Sequence, residues 1–133
     1  QLPECLLMHP QQRSQLLVGC RFRAQGRDPA TGLDCIGLVC MAFEIPADEV
    51  PRDYRLRNPS VDRLGRHLSR FFELSAAAEA GDMILLKVAA DQLHLAIRSD
   101  RCIVHADAAL RKVVERPRMP PGPVISAFRY KAV

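Results

Sequence analysis

The 133-residue sequence has no tryptophan, few other aromatic residues and little lysine. Phenylalanine and tyrosine together make up 5% of the chain, and only Lys87, Lys112 and Lys131 are lysines. Proteins that bind single-stranded nucleic acids place aromatic rings among clustered basic side chains, whereas the arginines here are scattered along the chain. Although the net charge is +4, we therefore expect no nucleic-acid partner.

Long hydrophobic runs and closely spaced cysteine pairs are also absent from the sequence. The apolar stretch from Ile36 to Phe43 is far shorter than the roughly 20 residues of a membrane-spanning helix. The five cysteines are odd in number and include no C-x-x-C pair, a pattern that favours neither a disulfide framework nor a paired-cysteine zinc site. We accordingly expect no membrane span, no metal and no cofactor.

The composition, with 48% hydrophobic and 26% charged residues, is typical of one globular domain. A chain of this length buries a core without disulfide or metal support. Helical patterns lie in the first half and strand patterns in the second, an order typical of α+β folds. We therefore expect a single α+β domain over residues 1–133, with N-terminal helices packed on a C-terminal antiparallel sheet of about five strands.

Local patterns locate these elements. Pro10 favours the start of a first helix that Gly19 ends, and Asp34 is a suitable N-cap for a second helix that is apolar on all sides. A polar, turn-rich loop is expected over residues 25–32. The predicted helices are residues 10–18, 35–43 and 60–72, and the predicted strands are residues 83–88, 93–98, 102–106, 112–115 and 124–130.

Cys35 is the cysteine whose neighbours suggest chemistry. A thiol at a helix N-terminus has its pKa lowered by the helix dipole and by the free N–H groups there. The same N–H groups can bind the oxyanion that forms when a thiolate attacks a carbonyl. Gly37 is expected to keep this first helical turn open to a substrate.

Two histidines on neighbouring predicted strands complete a candidate catalytic set. Alternation in residues 93–98 places Leu93, Leu95 and Ile97 on one face of the strand and His94 on the other. His105 lies on the next strand, one hairpin away. In this arrangement His94 can accept the proton of Cys35 while His105 orients the His94 ring.

The strings that hold these residues resemble the NlpC-type cell-wall cysteine peptidases. That family joins an aspartate-cysteine-any-glycine-leucine-valine helix start, a glycine-aspartate turn into a strand, a histidine strand and a third polar residue one strand later. The corresponding strings are GLDCIGLV at residues 32–39, GDMILL at 81–86, LHLAI at 93–97 and IVHAD at 103–107.

The resemblance implies a papain-like fold, with Cys35 as nucleophile, His94 as general base and His105 as the orienting residue. More narrowly, QGRDPATGLDCIGLV, VVERP and VISAFRYK are similar to the short tail peptidases of phages and gene transfer agents. Such proteins cut peptide stems of peptidoglycan, typically between D-glutamate and a diamino acid. The implied partners are stem peptides and other tail or baseplate proteins, and the implied location is a phage-like tail acting on the host cell wall.

The sequence departs from the family pattern at several positions, and two of them belong to the implied substrate region. Ile36 stands where serine is most frequent, and Phe22 stands where many relatives carry a tyrosine whose hydroxyl points into the active site. Together with Asp34, these residues form the expected substrate and oxyanion region.

Three other interpretations of the same residues stay open. Cys35, His94 and His105, with Asp34 or Asp107, could supply a tetrahedral set of zinc ligands. The chain could instead be a structural tail component that has the peptidase fold without turnover. Thiol chemistry on a different amide, by an amidase or acyltransferase, is the third.

Overall fold

The computed structural model describes residues 8–50, 66, 68–75, 79–89, 92–100, 102–117 and 124–131. Within these residues the fold is α+β. Its elements in chain order are α1 Pro10–Leu16, β1 Arg27–Asp28, β2 Gly32–Leu33, α2 Cys35–Ala42, a short 3-10 helix Ala47–Glu49, β3 Phe72–Ser75, β4 Met83–Ala89, β5 Gln92–Arg98, β6 Ile103–Asp107, β7 Lys112–Arg116 and β8 Val124–Tyr130.

The main sheet has six antiparallel strands in the order β3-β8-β4-β5-β6-β7. Strands β4 to β7 follow one another along the chain as neighbours, and β8 returns to lie between β3 and β4. All five strands predicted from hydrophobic alternation are confirmed. The antiparallel pairing of β5 with β6 is the feature that positions the candidate site, because it brings the two histidine strands side by side.

The sixth strand, β3, corrects the sequence prediction, which placed Phe72 at the end of a helix. Phe72 instead pairs with Tyr130 in β8, and its ring contacts those of Phe43 and Tyr130 at centroid distances of 4.9 and 5.7 Å. This aromatic cluster joins the end of α2 to the sheet edge, a long-range contact that outweighs the local helical spacing. Most of the predicted helix 60–72 lies outside the described residues.

The loop predicted for residues 25–32 also contains regular structure, because β1 and β2 form a small antiparallel hairpin there. Arg27 pairs with Leu33 and Asp28 with Gly32. Gly32 has a φ of +136°, a conformation that glycine adopts without strain. The hairpin is followed directly by Asp34 and the start of α2.

Helix α2 packs on one face of the sheet and forms the main core with it. Seven of its eight residues are buried, and the strand residues of this core include Leu85, Leu95, Ile97 and Val104. A second buried cluster consists of Ile84, Leu86, Ala96 and Ile103. Because side chains alternate along a strand, this second cluster lies on the opposite face of the sheet.

No helix in the described part of the chain has the length and apolar character needed to cross a membrane.

Candidate active site

The segment before α2 is held by the edge strand β7. The backbone N–H of Gly19 donates to the Val113 carbonyl at 2.8 Å, the Val113 N–H donates to Cys20 at 2.8 Å, and the Phe22 N–H donates to Arg111 at 2.9 Å. These hydrogen bonds cover part of the free edge of the sheet. They also fix the path of the chain toward Cys35.

Asp34 is the N-cap of α2, as predicted, and its carboxylate has further partners. Oδ1 accepts the Gly37 N–H at 2.8 Å and a hydrogen bond from Arg27 Nη1 at 3.2 Å. Oδ2 accepts the Gln25 N–H at 2.9 Å. Because the residue is buried and both of its oxygens are engaged, this carboxylate anchors the loop to the helix start. The Arg27 contact was not predicted from the sequence.

Gly37 does not keep the first turn open to a substrate, which corrects the sequence prediction. A Cβ built on Gly37 would lie 2.0 Å from the carbonyl oxygen of Gly26. The backbone of residue 26 therefore packs directly on the helix at this point, and only glycine fits. Gly26 is itself restricted, since its own Cβ would lie 2.2 Å from the Gly32 oxygen.

The Cys35 thiol is at the first position of α2 and is only 1% exposed. Burial, with a smaller contribution from the charge of Asp34, raises the pKa of Cys35 to about 12. Hydrogen bonding to the backbone of Leu95, Ile36 and Cys35 itself lowers this pKa, but by less than burial raises it. The predicted lowering by the helix N-terminus is therefore wrong for this state, because desolvation penalises the thiolate more strongly.

His94 and His105 come together as the strand positions predicted. Nε2 of His94 lies 2.9 Å from Nδ1 of His105, and the two rings are nearly perpendicular, at 89°. Burial, followed by the charge of His105, lowers the pKa of His94 to about 4. The pKa of His105 is also lowered, chiefly by burial. Both imidazoles are therefore neutral near pH 7.

Two charged residues extend this pair: Arg116, which the sequence analysis did not assign to the site, and Asp107, which it named only as a possible zinc ligand. Arg116 Nε donates to His105 Nε2 at 3.1 Å, and Arg116 Nη2 donates to Asp107 Oδ2 at 2.9 Å. The residues come from neighbouring strands, because β6 pairs with β7 with Ile103 opposite Arg116. The register of this hairpin was the signal that could have identified Arg116, which shares a sheet face with His105.

Cys35 lies near the histidine pair without a hydrogen bond to it. The thiol contacts the backbone of Leu95, the residue next to His94. Leu95 belongs to the core against α2, whereas strand alternation directs His94 toward the other face. The structure thus brings His94 and His105 together and places the Cys35 thiol against the backbone of Leu95, the neighbour of His94 in β5.

Phe22 and Ile36 both pack into the main core. Ile36 is 4% exposed, and Phe22 is half-buried against the same cluster. The Ile36 side chain therefore points away from solvent, and the Ile36 backbone hydrogen-bonds to the Cys35 thiol. Among the described residues, no three His, Cys, Asp or Glu side chains are grouped closely enough to hold a metal ion.

The sequence matches no protein-family model. No curated protein matches it at a level that identifies a relative.

Proposed function

We propose that this chain is a papain-like, NlpC-type cysteine endopeptidase that hydrolyses peptide stems of peptidoglycan as part of a phage or phage-like tail. The observation that carries the proposal is the buried histidine pair on β5 and β6, beside the helix start that holds Cys35. Cys35 begins the buried helix α2 against β5, and His94 on β5 is 2.9 Å from His105 on β6. The strings around these residues resemble that peptidase family. This resemblance supports a stem peptide as the substrate, with cleavage at the D-glutamyl–diamino acid bond.

The proposed reaction begins when the Cys35 proton moves to His94. The sulfur then attacks the scissile carbonyl, and the backbone N–H groups of Cys35 and Ile36 stabilise the oxyanion. His94 gives the proton to the leaving amine as the C–N bond breaks. Water, deprotonated by His94, hydrolyses the thioester and regenerates the thiol, while His105 keeps the His94 ring oriented.

The described state is a resting state in this scheme. A thiol with a pKa of about 12 and an imidazole with a pKa of about 4 are both neutral at pH 7. Because His94 also points away from the sheet face that α2 covers, proton transfer requires a rearrangement that brings the sulfur and the His94 ring together. Substrate binding supplies that change in the proposed mechanism, since apo enzymes often tighten catalytic contacts only in the substrate complex.

A structural tail component without turnover is the second candidate. The observation that favours it is the 1% exposure of Cys35, together with the absence of a hydrogen bond between this described thiol and His94. A protein that only docks on neighbouring tail subunits has no requirement for an accessible nucleophile.

The test compares the full chain with its Cys35→Ala variant on peptidoglycan sacculi and defined muropeptides, with fragments identified by mass spectrometry. Cys40→Ala is the matched control, because Cys40 is a second buried cysteine of α2. Cleavage by the parent and by the control, but not by Cys35→Ala, is expected and would identify the bond. Three folded proteins without any cleavage would contradict the peptidase and favour the structural component.

A further inference from the structure

We propose that Arg116 is a positioning residue that selects the tautomers of His105 and His94, and that its described contact holds His94 in the form that cannot accept the Cys35 proton. The inference about the tautomers stands on the hydrogen-bond geometry of the described residues. Its consequence for catalysis rests on the proposed function.

Arg116 Nε donates a hydrogen bond to His105 Nε2, at 3.1 Å. A guanidinium is always charged in proteins and can only donate hydrogen bonds. The His105 Nε2 atom must therefore present a lone pair. A neutral His105 then carries its single proton on Nδ1.

The tautomer of His105 in turn determines the tautomer of His94. His105 Nδ1 lies 2.9 Å from His94 Nε2, and with its proton on Nδ1 the His105 ring is the donor. His94 Nε2 must therefore accept. A neutral His94 is left with its proton on Nδ1, because each neutral imidazole has one donor and one acceptor nitrogen.

The tautomer of His94 decides whether it can accept the Cys35 proton. His105 occupies Nε2 of His94, so Nδ1 is the ring nitrogen left to meet a thiol. In the selected tautomer Nδ1 already carries a proton and cannot take another. The doubly protonated His94 is disfavoured as well, because its Nε2–H would face the Nδ1–H of His105, in agreement with its lowered pKa.

The contact between Arg116 and His105 can be broken, because the Arg116 side chain is partly exposed to solvent. The Arg116 side chain is 42% exposed, and the carboxylate that holds its Nη2, on Asp107, is 13% exposed. If Arg116 leaves His105, the proton of His105 can move to Nε2 and that of His94 to Nε2, with no net change in charge. His94 Nδ1 then becomes the acceptor that the Cys35 proton requires, while His94 Nε2 donates to His105.

The experiment is nitrogen-15 NMR of the imidazole rings in the full chain at neutral pH, where protonated and unprotonated ring nitrogens have well separated shifts. In the parent, we expect His94 and His105 both to be protonated at Nδ1. In Arg116→Met, which keeps a long side chain without a donor, the ratio of His94 tautomers should shift toward Nε2–H by about tenfold to a hundredfold, the range associated with a hydrogen bond from a charged donor.

Two further variants test the return of a donor at position 116 and the loss of a positive charge elsewhere. Arg116→Lys restores a side chain that only donates and should return His94 toward the Nδ1–H tautomer. Arg21→Met removes the same charge from an exposed side chain that has no hydrogen bond to any residue the structure describes, and it should leave both rings unchanged. A parent His94 protonated at Nε2, or unchanged tautomers in a folded Arg116→Met, would overturn the inference.

Stem-peptide cleavage by the same proteins provides the catalytic readout. If His94 is the general base, Arg116→Met should cleave about tenfold faster than the parent, because a larger fraction of His94 can accept the proton. Slower cleavage by a folded Arg116→Met with the shifted tautomers would overturn the inhibitory role of Arg116. If the tautomers are as predicted but neither the parent nor any variant cleaves stem peptides, the proposed function is contradicted while the tautomer assignment is still supported.

Discussion

The carboxylate of Asp82 binds the guanidinium of Arg129 through both oxygens, with Nε–Oδ1 and Nη2–Oδ2 distances of 3.2 Å. Asp82 also accepts the Glu79 N–H at 2.9 Å. The glycine-aspartate turn that precedes β4 therefore joins this strand to β8. In this protein the aspartate of that turn has a structural role in the sheet.

Replacement of Asp82 with alanine should lower the free energy of unfolding by about 2 kcal/mol, because it removes a buried acceptor with several charged or backbone partners. Chemical denaturation measures the loss. Asp100→Ala, at an exposed position, is the control and should change stability by less than about 0.5 kcal/mol. Equal stability of the two variants would contradict the role assigned to Asp82.

Gly37→Ala should destabilise the fold by about 2–3 kcal/mol, although alanine is normally the better helix former. The cause is the Gly26 carbonyl, 2.0 Å from the added Cβ. Gly19→Ala is the comparison. Its Cβ would meet nothing within 4 Å, and only its φ of +94° opposes the change. This variant should therefore lose about 1 kcal/mol of the free energy of unfolding. A Gly37→Ala protein as stable as the parent in denaturant would refute this packing.

Asp34→Asn should have two separable effects. Loss of the charge weakens the helix cap and the Arg27 contact, and we expect a stability loss of about 2 kcal/mol. It should also lower the pKa of Cys35, because the Asp34 charge is one of the causes that raise it. The pH dependence of Cys35 alkylation, followed by peptide mapping, reports the second effect. Asp28→Asn, on the same hairpin but exposed, should leave both properties unchanged.

Cys35 of the parent should react more slowly with iodoacetamide at pH 7–8 than Cys20 or Cys102, which are both partly exposed. The thiolate is the reactive form, and a pKa of about 12 leaves almost none of it at that pH. The Cys35 rate should therefore continue to rise with pH up to the limit of the folded protein. Rapid labelling at pH 7 with a plateau near neutrality would show that the thiol is already activated.

The lowered pKa of His94 predicts a loss of stability as the pH falls. An unfolded histidine takes up a proton below about pH 6.5, whereas folded His94 does so only near pH 4. The unfolded state therefore binds more protons between these values, and the free energy of unfolding should fall by about 2 kcal/mol between pH 7 and pH 5. Chemical denaturation between pH 7 and pH 5 measures this dependence, and His94→Gln should reduce it. His9→Gln, at the exposed N-cap of α1, is the control and should preserve it. A parent with constant stability from pH 7 to pH 5 would contradict the neutral, buried imidazole.

Local signals in the sequence determined the α+β class, five of the six main strands, the Asp34 cap and the placement of Cys35 at a helix start. Each of these depends on residues that are neighbours along the chain, through alternation, apolar runs or capping. The proximity of His94 and His105 was also predictable, because adjacent antiparallel strands place same-face residues within contact distance.

Only the tertiary structure decided the rest. Phe72 lies in a strand because rings distant in the sequence, those of Phe43 and Tyr130, pack against it. The Cys35 thiol is protonated because the surrounding core removes water from it, a cost that no local pattern encodes. Arg116 meets His105 through the register of a hairpin. Burial and register depend on elements far apart in the chain, which is why the sequence indicated the candidate site residues but not their protonation states.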